Sequence, residues 1–178
     1  MKDIMSIHDH PVWEIYDQYR TTKLNIKYRS RILLNLKRWS KFFDISLAIT
    51  APTSAIAAIG FWSTKFGFYV WQILISITAL LAFIKPFLSL TEKIELNEEL
   101  LVAERSLEID LYKIIILIKE KMCYDTIIQD KFLESLDKIK DIIQKDKEVK
   151  VNEKLREKFF EEVNRELPNE FFYIPQEY

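Results

Sequence analysis

The residues best suited to chemistry stand at the beginning of the chain, where His8, Asp9 and His10 follow one another. Two imidazoles and a carboxylate are common zinc ligands, but the sequence has no other histidine and a single cysteine, Cys123. Nucleophilic catalysis would need a serine or cysteine beside an activating base, and both histidines lie within the first ten residues. Only two glycines occur, so a glycine-rich phosphate loop is absent from the sequence. We therefore expect no enzyme activity, no metal and no cofactor.

Polar side chains inside two apolar stretches, 45–62 and 68–84, form a more informative constellation. The polar or small residues that share one helical face are Thr50, Ser54 and Ala57 in the first stretch and Gln72 and Ser76 in the second. Such faces either pack helices together or line a hydrated pore, and both interpretations stay open here. Gln72 is the residue most expected to face protein or water, because an amide exposed to lipid is costly.

Both apolar stretches have the length of a transmembrane helix. At a rise of ~1.5 Å per residue, each makes a helix of roughly 25 Å, which approaches the ~30 Å of a hydrocarbon core. The five residues between them are too few for a domain. The stretches could instead form the buried centre of a soluble bundle, but the remainder of a 178-residue chain is too short to cover both. The sequence thus predicts a two-span transmembrane hairpin.

Charge predicts how this hairpin is oriented. From Arg20 to Lys41 there are eight basic residues and no acidic one, whereas the hairpin connection carries a single lysine. The positive-inside rule places the N-terminal segment in the cytoplasm, and two spans return the C-terminal half to the same side. The basic residues expected at the lipid headgroups are Lys27, Arg29, Arg31, Lys37, Arg38 and Lys41. We expect no nucleic acid partner, because this block adjoins a span.

The rest of the chain has helical periodicity, so we predict an all-α fold. Proline disfavours helical geometry in the residue before it, and Lys85-Pro86 therefore predicts a hinge after the second span. Ser89 and Glu92 then match a capping box that restarts a helix. The apolar stripe of this helix recurs in steps of three and four at Leu96, Leu100, Ala103, Leu107, Leu111, Ile114, Ile118 and Met122. This eleven-residue period is typical of a straight or slightly right-handed bundle.

Two further helices complete the predicted fold, one capped at Asp125 or Thr126 and one that stops at Pro168. The predicted parts are a cytosolic basic-aromatic helix at 1–41, the transmembrane hairpin at 42–86, a long cytosolic helical bundle at 87–167 and an aromatic tail at 168–178. We expect the tail to dock on its own or a neighbouring subunit. The long apolar stripes favour subunit contacts and hence a homo-oligomer.

This layout resembles that of a known family. A helix with Trp13, Tyr16 and Tyr19 before the run Asn25–Arg31, a close pair of spans, and a long helix around 96–121 are similar to the SLATT two-transmembrane effector domains. The resemblance covers 13–122 and implies the bacterial inner membrane, with both termini cytoplasmic. It also implies an effector that perturbs or perforates this membrane in anti-phage defence, with cell death or arrest as the result. A nucleotide ligand or a nucleotide-signalling sensor protein would supply the signal.

Two functions from different classes are compatible with these observations. In the first, several hairpins assemble in the lipid bilayer and act as a gated, membrane-disrupting effector. In the second, the hairpin only anchors the cytosolic helices, whose apolar stripes recruit a soluble partner as an adaptor would. The first function requires an oligomer, because a single two-helix hairpin cannot enclose water.

Overall fold

A computed structural model of the chain describes residues 10–50, 65–146 and 151–175. These residues form the helices α1 (Val12–Thr50), α2 (Lys65–Ile84), α3 (Leu90–Lys121), α4 (Thr126–Lys145) and α5 (Glu153–Glu166), with short 3-10 turns at Lys85–Leu88 and Asn169–Phe171. No strand occurs in the described ranges. The predicted all-α class is confirmed for this part of the chain.

The chain divides into two compact units, and both α1 and α3 contribute to each of them. One unit contains residues 1–31 and 98–178 and is called the bundle unit here. The other contains residues 32–97 and is called the α2 unit. The bundle unit therefore includes the beginning of α1 and the aromatic tail as well as the later helices.

The core of the bundle unit is formed by helices that are distant in sequence. The buried side chains of this core are Val12, Trp13, Ile15, Tyr16, Tyr19 and Leu24 of α1, Leu107, Leu111, Ile114, Ile115 and Ile118 of α3, Ile128 and Phe132 of α4, Val163 of α5, and Leu167 and Phe172 near the C-terminus. The aromatic residues at helical spacing in α1 thus pack against the apolar stripe of α3. Their burial removes a large apolar area from water, which is the main source of stability in such a bundle.

The predicted apolar stripe of α3 is confirmed over most of its length. Its buried members are Leu100, Leu107, Leu111, Ile114 and Ile118. The assignment of Met122 to the stripe is wrong, since its side chain is 59% exposed and its φ of 55° lies in the left-handed region. Because α1 of the same chain covers the stripe, the length of the stripe alone does not require a second subunit.

Local signals account for the ends of the helices. The Asp125 carboxylate accepts a hydrogen bond from the N–H of Ile128 at 2.9 Å and caps α4, which decides between the two predicted caps. Pro168 follows the end of α5, as expected. The capping box predicted before α3 is wrong in geometry: Ser89 has a φ of 45°, whereas an N-cap residue is extended. Ser89 instead closes the preceding 3-10 turn.

The aromatic tail docks on its own chain. Phe172 is buried, and its ring stacks on that of Tyr16 with centroids 4.3 Å apart. The Tyr16 hydroxyl donates a hydrogen bond to the carbonyl of Tyr173, and burial raises the pKa of this phenol well above its ordinary value. The guanidinium of Arg20 donates to the Leu167 carbonyl at 2.8 Å and lies 4.8 Å from the centroid of the Phe172 ring. The tail is therefore part of the core.

We expect Phe172→Ala to lower the free energy of unfolding by about 3 kcal/mol, because it removes a buried ring and leaves a cavity. Phe171 is a matched control, since it is the neighbouring residue but is 40% exposed, with the Lys119 ammonium 4.3 Å from its ring centroid. Phe171→Ala should cost about 1 kcal/mol or less. Denaturant unfolding of both full-length variants in detergent, followed by circular dichroism, measures the difference. Equal losses would show that the tail is not part of the core.

Candidate functional site: an uncovered apolar helix and a buried ion cluster

The most apolar helix within the described ranges is almost uncovered by the chain. The continuous helical stretch Lys65–Leu88 is the one helix in the described ranges that is long and apolar enough to cross a membrane. Only 6% of its most apolar 18-residue window is buried. Its exposed large apolar side chains are Phe66, Phe68, Tyr69, Ile73, Ile75, Ile77, Leu80, Phe83, Ile84 and Phe87. A core helix of a soluble bundle has the opposite distribution.

The other predicted span is described only in part. Residues 45–50 form the end of α1, while residues 51–64 lie outside the described ranges. Ser54 and Ala57 fall in that gap, and the side chain of Thr50 also lies outside what the structure describes. The two-span hairpin therefore stays a prediction, as does the role of these three residues.

The structure places Gln72 and Ser76 on one exposed face of α2. The Ser76 hydroxyl donates a hydrogen bond to the backbone carbonyl of Gln72 at 2.8 Å, and the hydroxyl of Thr78 donates in the same way to Leu74. Serine and threonine in helices often satisfy their hydroxyl proton by this back-bond. Among the described residues the amide of Gln72 makes no such hydrogen bond, so it is the more informative polar group of α2.

The predicted break after the second span is confirmed as the 3-10 turn Lys85–Leu88, with Pro86 in its first positions. The ammonium of Lys85 lies 2.6 Å from the carboxylate of Asp44, so an ion pair joins α1 to the turn that follows α2. The pair is within the α2 unit. That Lys85 and Pro86 act as a hinge stays a prediction.

Two of the basic residues predicted at the membrane surface are engaged inside the protein. Arg29 is 6% exposed, so the assignment to lipid headgroups is wrong for this residue. Lys27 is shared between the carboxylates of Glu162 and Glu166, the latter at 2.7 Å. The remaining members of the set, Arg31, Lys37, Arg38 and Lys41, are exposed, and their assignment stays a prediction.

Arg29 is the centre of an ion cluster that joins α1, α3 and the end of α4. Its Nε donates to the Glu104 carboxylate at 2.9 Å, and its guanidinium also pairs with Asp146, the C-cap of α4. One residue earlier, the Tyr28 hydroxyl accepts a hydrogen bond from the backbone N–H of Asn152 at 2.9 Å. The connection between α4 and α5 is thus fastened to α1 on both sides of residues 147–150.

The burial of the Glu104 carboxyl makes this cluster energetically costly as well as specific. Glu104 is 1% exposed, and its Oε2 atom has no hydrogen-bond partner among the residues that the structure describes. Burial raises the pKa of its carboxyl above the ordinary value, although the hydrogen bond and charge of Arg29 act in the opposite direction. Burial also acts to lower the pKa of Arg29, but the hydrogen bonds and charges of Glu104 and Asp146 raise it overall. A buried charge of this kind depends on its partner.

The sequence interpretation missed Glu104. The residue occupies a stripe position of α3, because Leu100, Glu104, Leu107 and Leu111 follow one another in steps of four, three and four. A charged residue at a core position is the signal that could have found the cluster, since such a residue needs a buried partner.

No group of metal-ligating side chains that could hold an ion occurs within the described ranges. His8 and Asp9 lie outside these ranges. His10 is described, and its Nδ1 accepts a hydrogen bond from the N–H of Val12 at 3.2 Å, at the beginning of α1.

Comparison with known proteins adds no relative. No family model, curated protein or solved structure matches the chain. The likeness to SLATT domains therefore rests on the residues named above and stays a prediction.

We expect Arg29→Met to lower the free energy of unfolding by about 3–5 kcal/mol, because it leaves Glu104 charged and unpaired in the core. The double variant Arg29→Met, Glu104→Leu should regain most of this loss, since leucine suits a stripe position. Lys27→Met is a matched control on the same helix and should cost much less, because its carboxylate partners are largely solvated. Denaturant unfolding gives all three values. A double variant no more stable than Arg29→Met would contradict a buried charge as the cause.

The raised pKa of Glu104 predicts a pH dependence of a definite sign. The folded state holds this proton more tightly than the unfolded chain, so the carboxyl stabilises the fold fully below its ordinary pKa. That contribution is lost as the pH rises from the ordinary pKa through the raised one. Glu104→Gln removes this pH-dependent contribution to stability. The difference in the free energy of unfolding, wild type minus variant, should therefore decrease as the pH rises. Unfolding series between about pH 4 and pH 8 measure the difference. A pH-independent difference would refute the raised pKa.

Proposed function

We propose that the protein is a membrane-inserted helical effector, in which α2 crosses the bilayer and the bundle unit receives a cytosolic signal. The observation that supports this most directly is the exposure of α2, whose apolar side chains are almost uncovered by the chain. Moving one large apolar side chain out of water gains roughly 1.5–3 kcal/mol. Ten such side chains along one helix favour a hydrocarbon environment strongly over water.

The proposed membrane is the bacterial inner membrane, with both termini in the cytoplasm. Support comes from the end of α1, where the exposed residues Lys37, Arg38 and Lys41 accompany Trp39, which is 58% exposed. Lysine and arginine at a cytoplasmic membrane surface with an interfacial tryptophan form the usual boundary of a span. The first span then follows in residues 45–62, and both soluble ends lie on one side.

In the proposed mechanism, several copies assemble and the polar face of α2 with Gln72 turns toward water. A nucleotide or a sensor protein that binds the bundle unit would shift α1 against α3. Each of these helices contributes residues to both units, so the proposed displacement is transmitted through the helices themselves. The 3-10 turn Lys85–Leu88 follows the end of α2. Loss of the permeability barrier in infected cells would produce death or arrest.

A membrane-anchored adaptor is the second candidate. It is favoured by one specific observation, namely that the bundle unit buries its core within a single chain and does not need other copies for it. Such a unit could recruit a soluble partner while α2 serves only as a tether. For an adaptor, we expect activity to be preserved when the residues outside the spans are grafted onto an unrelated transmembrane hairpin. For an effector, the same graft should abolish activity.

Leakage of dye from vesicles separates the two functions. For the effector, we expect Gln72→Leu to reduce leakage at least about tenfold while membrane insertion stays unchanged, because the amide is the group that attracts water to this face. Thr78→Val is the matched control, since its hydroxyl is already satisfied by Leu74 and it lies on another face of α2. Flotation of the vesicles checks insertion. If Gln72→Leu causes as much leakage as the wild type, the pore mechanism is contradicted.

A further inference from the structure

The outer face of α3 in the bundle unit carries an apolar stripe that the chain covers only in part. Val102, Ile109 and Ile116 are 66%, 56% and 37% exposed. They recur every seven residues and therefore lie along one line of the helix. Tyr112, between the last two, is 45% exposed. This set of four residues is called the outer stripe, and it is distinct from the buried stripe of the same helix.

Exposed apolar residues elsewhere in the bundle unit do not form such a line. On α4 the exposed ones are Ile127, Leu133 and Ile143. Their separations of six and ten residues place them on different faces of that helix. Scattered apolar residues are normal on a protein surface, whereas an aligned set indicates a contact.

We propose that the outer stripe packs against the same stripe of a second copy, with the two α3 helices parallel. The inference rests on the proposed function in one respect, since assembly of several copies in one membrane is what brings two α3 helices together. The seven-residue repeat is the period of a left-handed two-helix coiled coil. Val102, Ile109 and Ile116 then occupy equivalent core positions, and β-branched residues are common at such positions in parallel pairs. The stripe is about 21 Å long at ~1.5 Å per residue.

Charge at the flanks is complementary in this parallel register. In a parallel coiled coil, the residue just before a core position lies opposite a residue of the second copy whose number is five higher. Here these residues are Glu108 and Lys113, which have opposite charge. Each also has a partner in its own chain, Lys23 at 3.0 Å for Glu108 and Asp110 at 3.0 Å for Lys113. The contact between copies would extend these two partly exposed ion pairs into a network.

Arg105 limits the strength of the contact. It is exposed, and it occupies the other core position of the heptad, between Val102 and Ile109. In a parallel pair the two Arg105 side chains face each other and repel, which weakens the association and makes it reversible. A weak contact suits an assembly that forms on a signal.

Disulfide trapping in the full-length protein in vesicles tests the contact and its direction. In a Cys123→Ser background, single cysteines replace Val102, Ile109 or Ile116, and Leu133→Cys is the matched control on α4, with an exposure of 52%. The parallel stripe predicts that each of the three α3 cysteines forms a disulfide dimer and that Leu133→Cys does not. Trapping of Ile109→Cys alone, with Val102→Cys reacting only when mixed with Ile116→Cys, would indicate antiparallel helices and overturn the proposal. Equal trapping at Leu133→Cys would overturn it as well.

Mass measurement of the detergent-solubilised protein gives an independent readout. Ile109→Arg should raise the dissociation constant of the dimer at least about tenfold, whereas Arg105→Leu should lower it and Leu133→Arg should leave it unchanged. Circular dichroism checks that the variants are folded. If Ile109→Arg associates as tightly as the wild type, the outer stripe is refuted. The effector is still supported in that case if the wild type causes leakage that depends on Gln72. Trapped dimers without leakage would support the outer stripe and refute the effector.

Discussion

The contact between α1 and α3 in the bundle unit is the interaction on which the rest of that unit depends. Neither helix can bury its apolar face alone, and the two are separated by the whole α2 unit in sequence. Tyr16 and Tyr19 of α1 and Leu111 of α3 are buried where these helices meet in one core with the tail. The later helices α4 and α5 complete a core that already exists between α1 and α3.

The ion cluster around Arg29 gives this contact its register. Apolar side chains alone permit helices to slide, whereas the guanidinium must meet Glu104 on α3 and Asp146 at the end of α4 together. The unpartnered oxygen of Glu104 shows that the cluster is not optimised for stability. A buried, imperfectly satisfied ion pair that joins three helices is better suited to define one arrangement, or to be released from it, than to strengthen the fold.

Periodicity in the sequence was sufficient for the helices and for the apolar stripe of α3, but not for what covers the stripe. Leu107 and Ile118 follow the helical period, and their burial could be predicted from that period alone. The identity of the covering helix depends on long-range packing, which no local pattern encodes, so the partner role of α1 was missed. Arg29 was misassigned for a related reason: within a run of basic residues, only the three-dimensional position of Glu104 distinguishes a buried arginine from a headgroup ligand. Asp125, in contrast, was predictable because a helix cap is a local interaction.

The two units differ in whether their apolar side chains are covered, and this difference is the strongest support for the proposed function. In the bundle unit, aromatic and aliphatic side chains are buried against each other within the chain. In the α2 unit, side chains of the same types remain exposed along α2. One polypeptide in water gains from covering apolar surface wherever it can, so an uncovered apolar helix in a chain that also has a well-packed core indicates a second solvent. Hydrocarbon is the solvent that we propose for α2. For the outer stripe of α3, which is interrupted by Arg105 and flanked by Glu108 and Lys113, charge excludes lipid and favours a second protein surface.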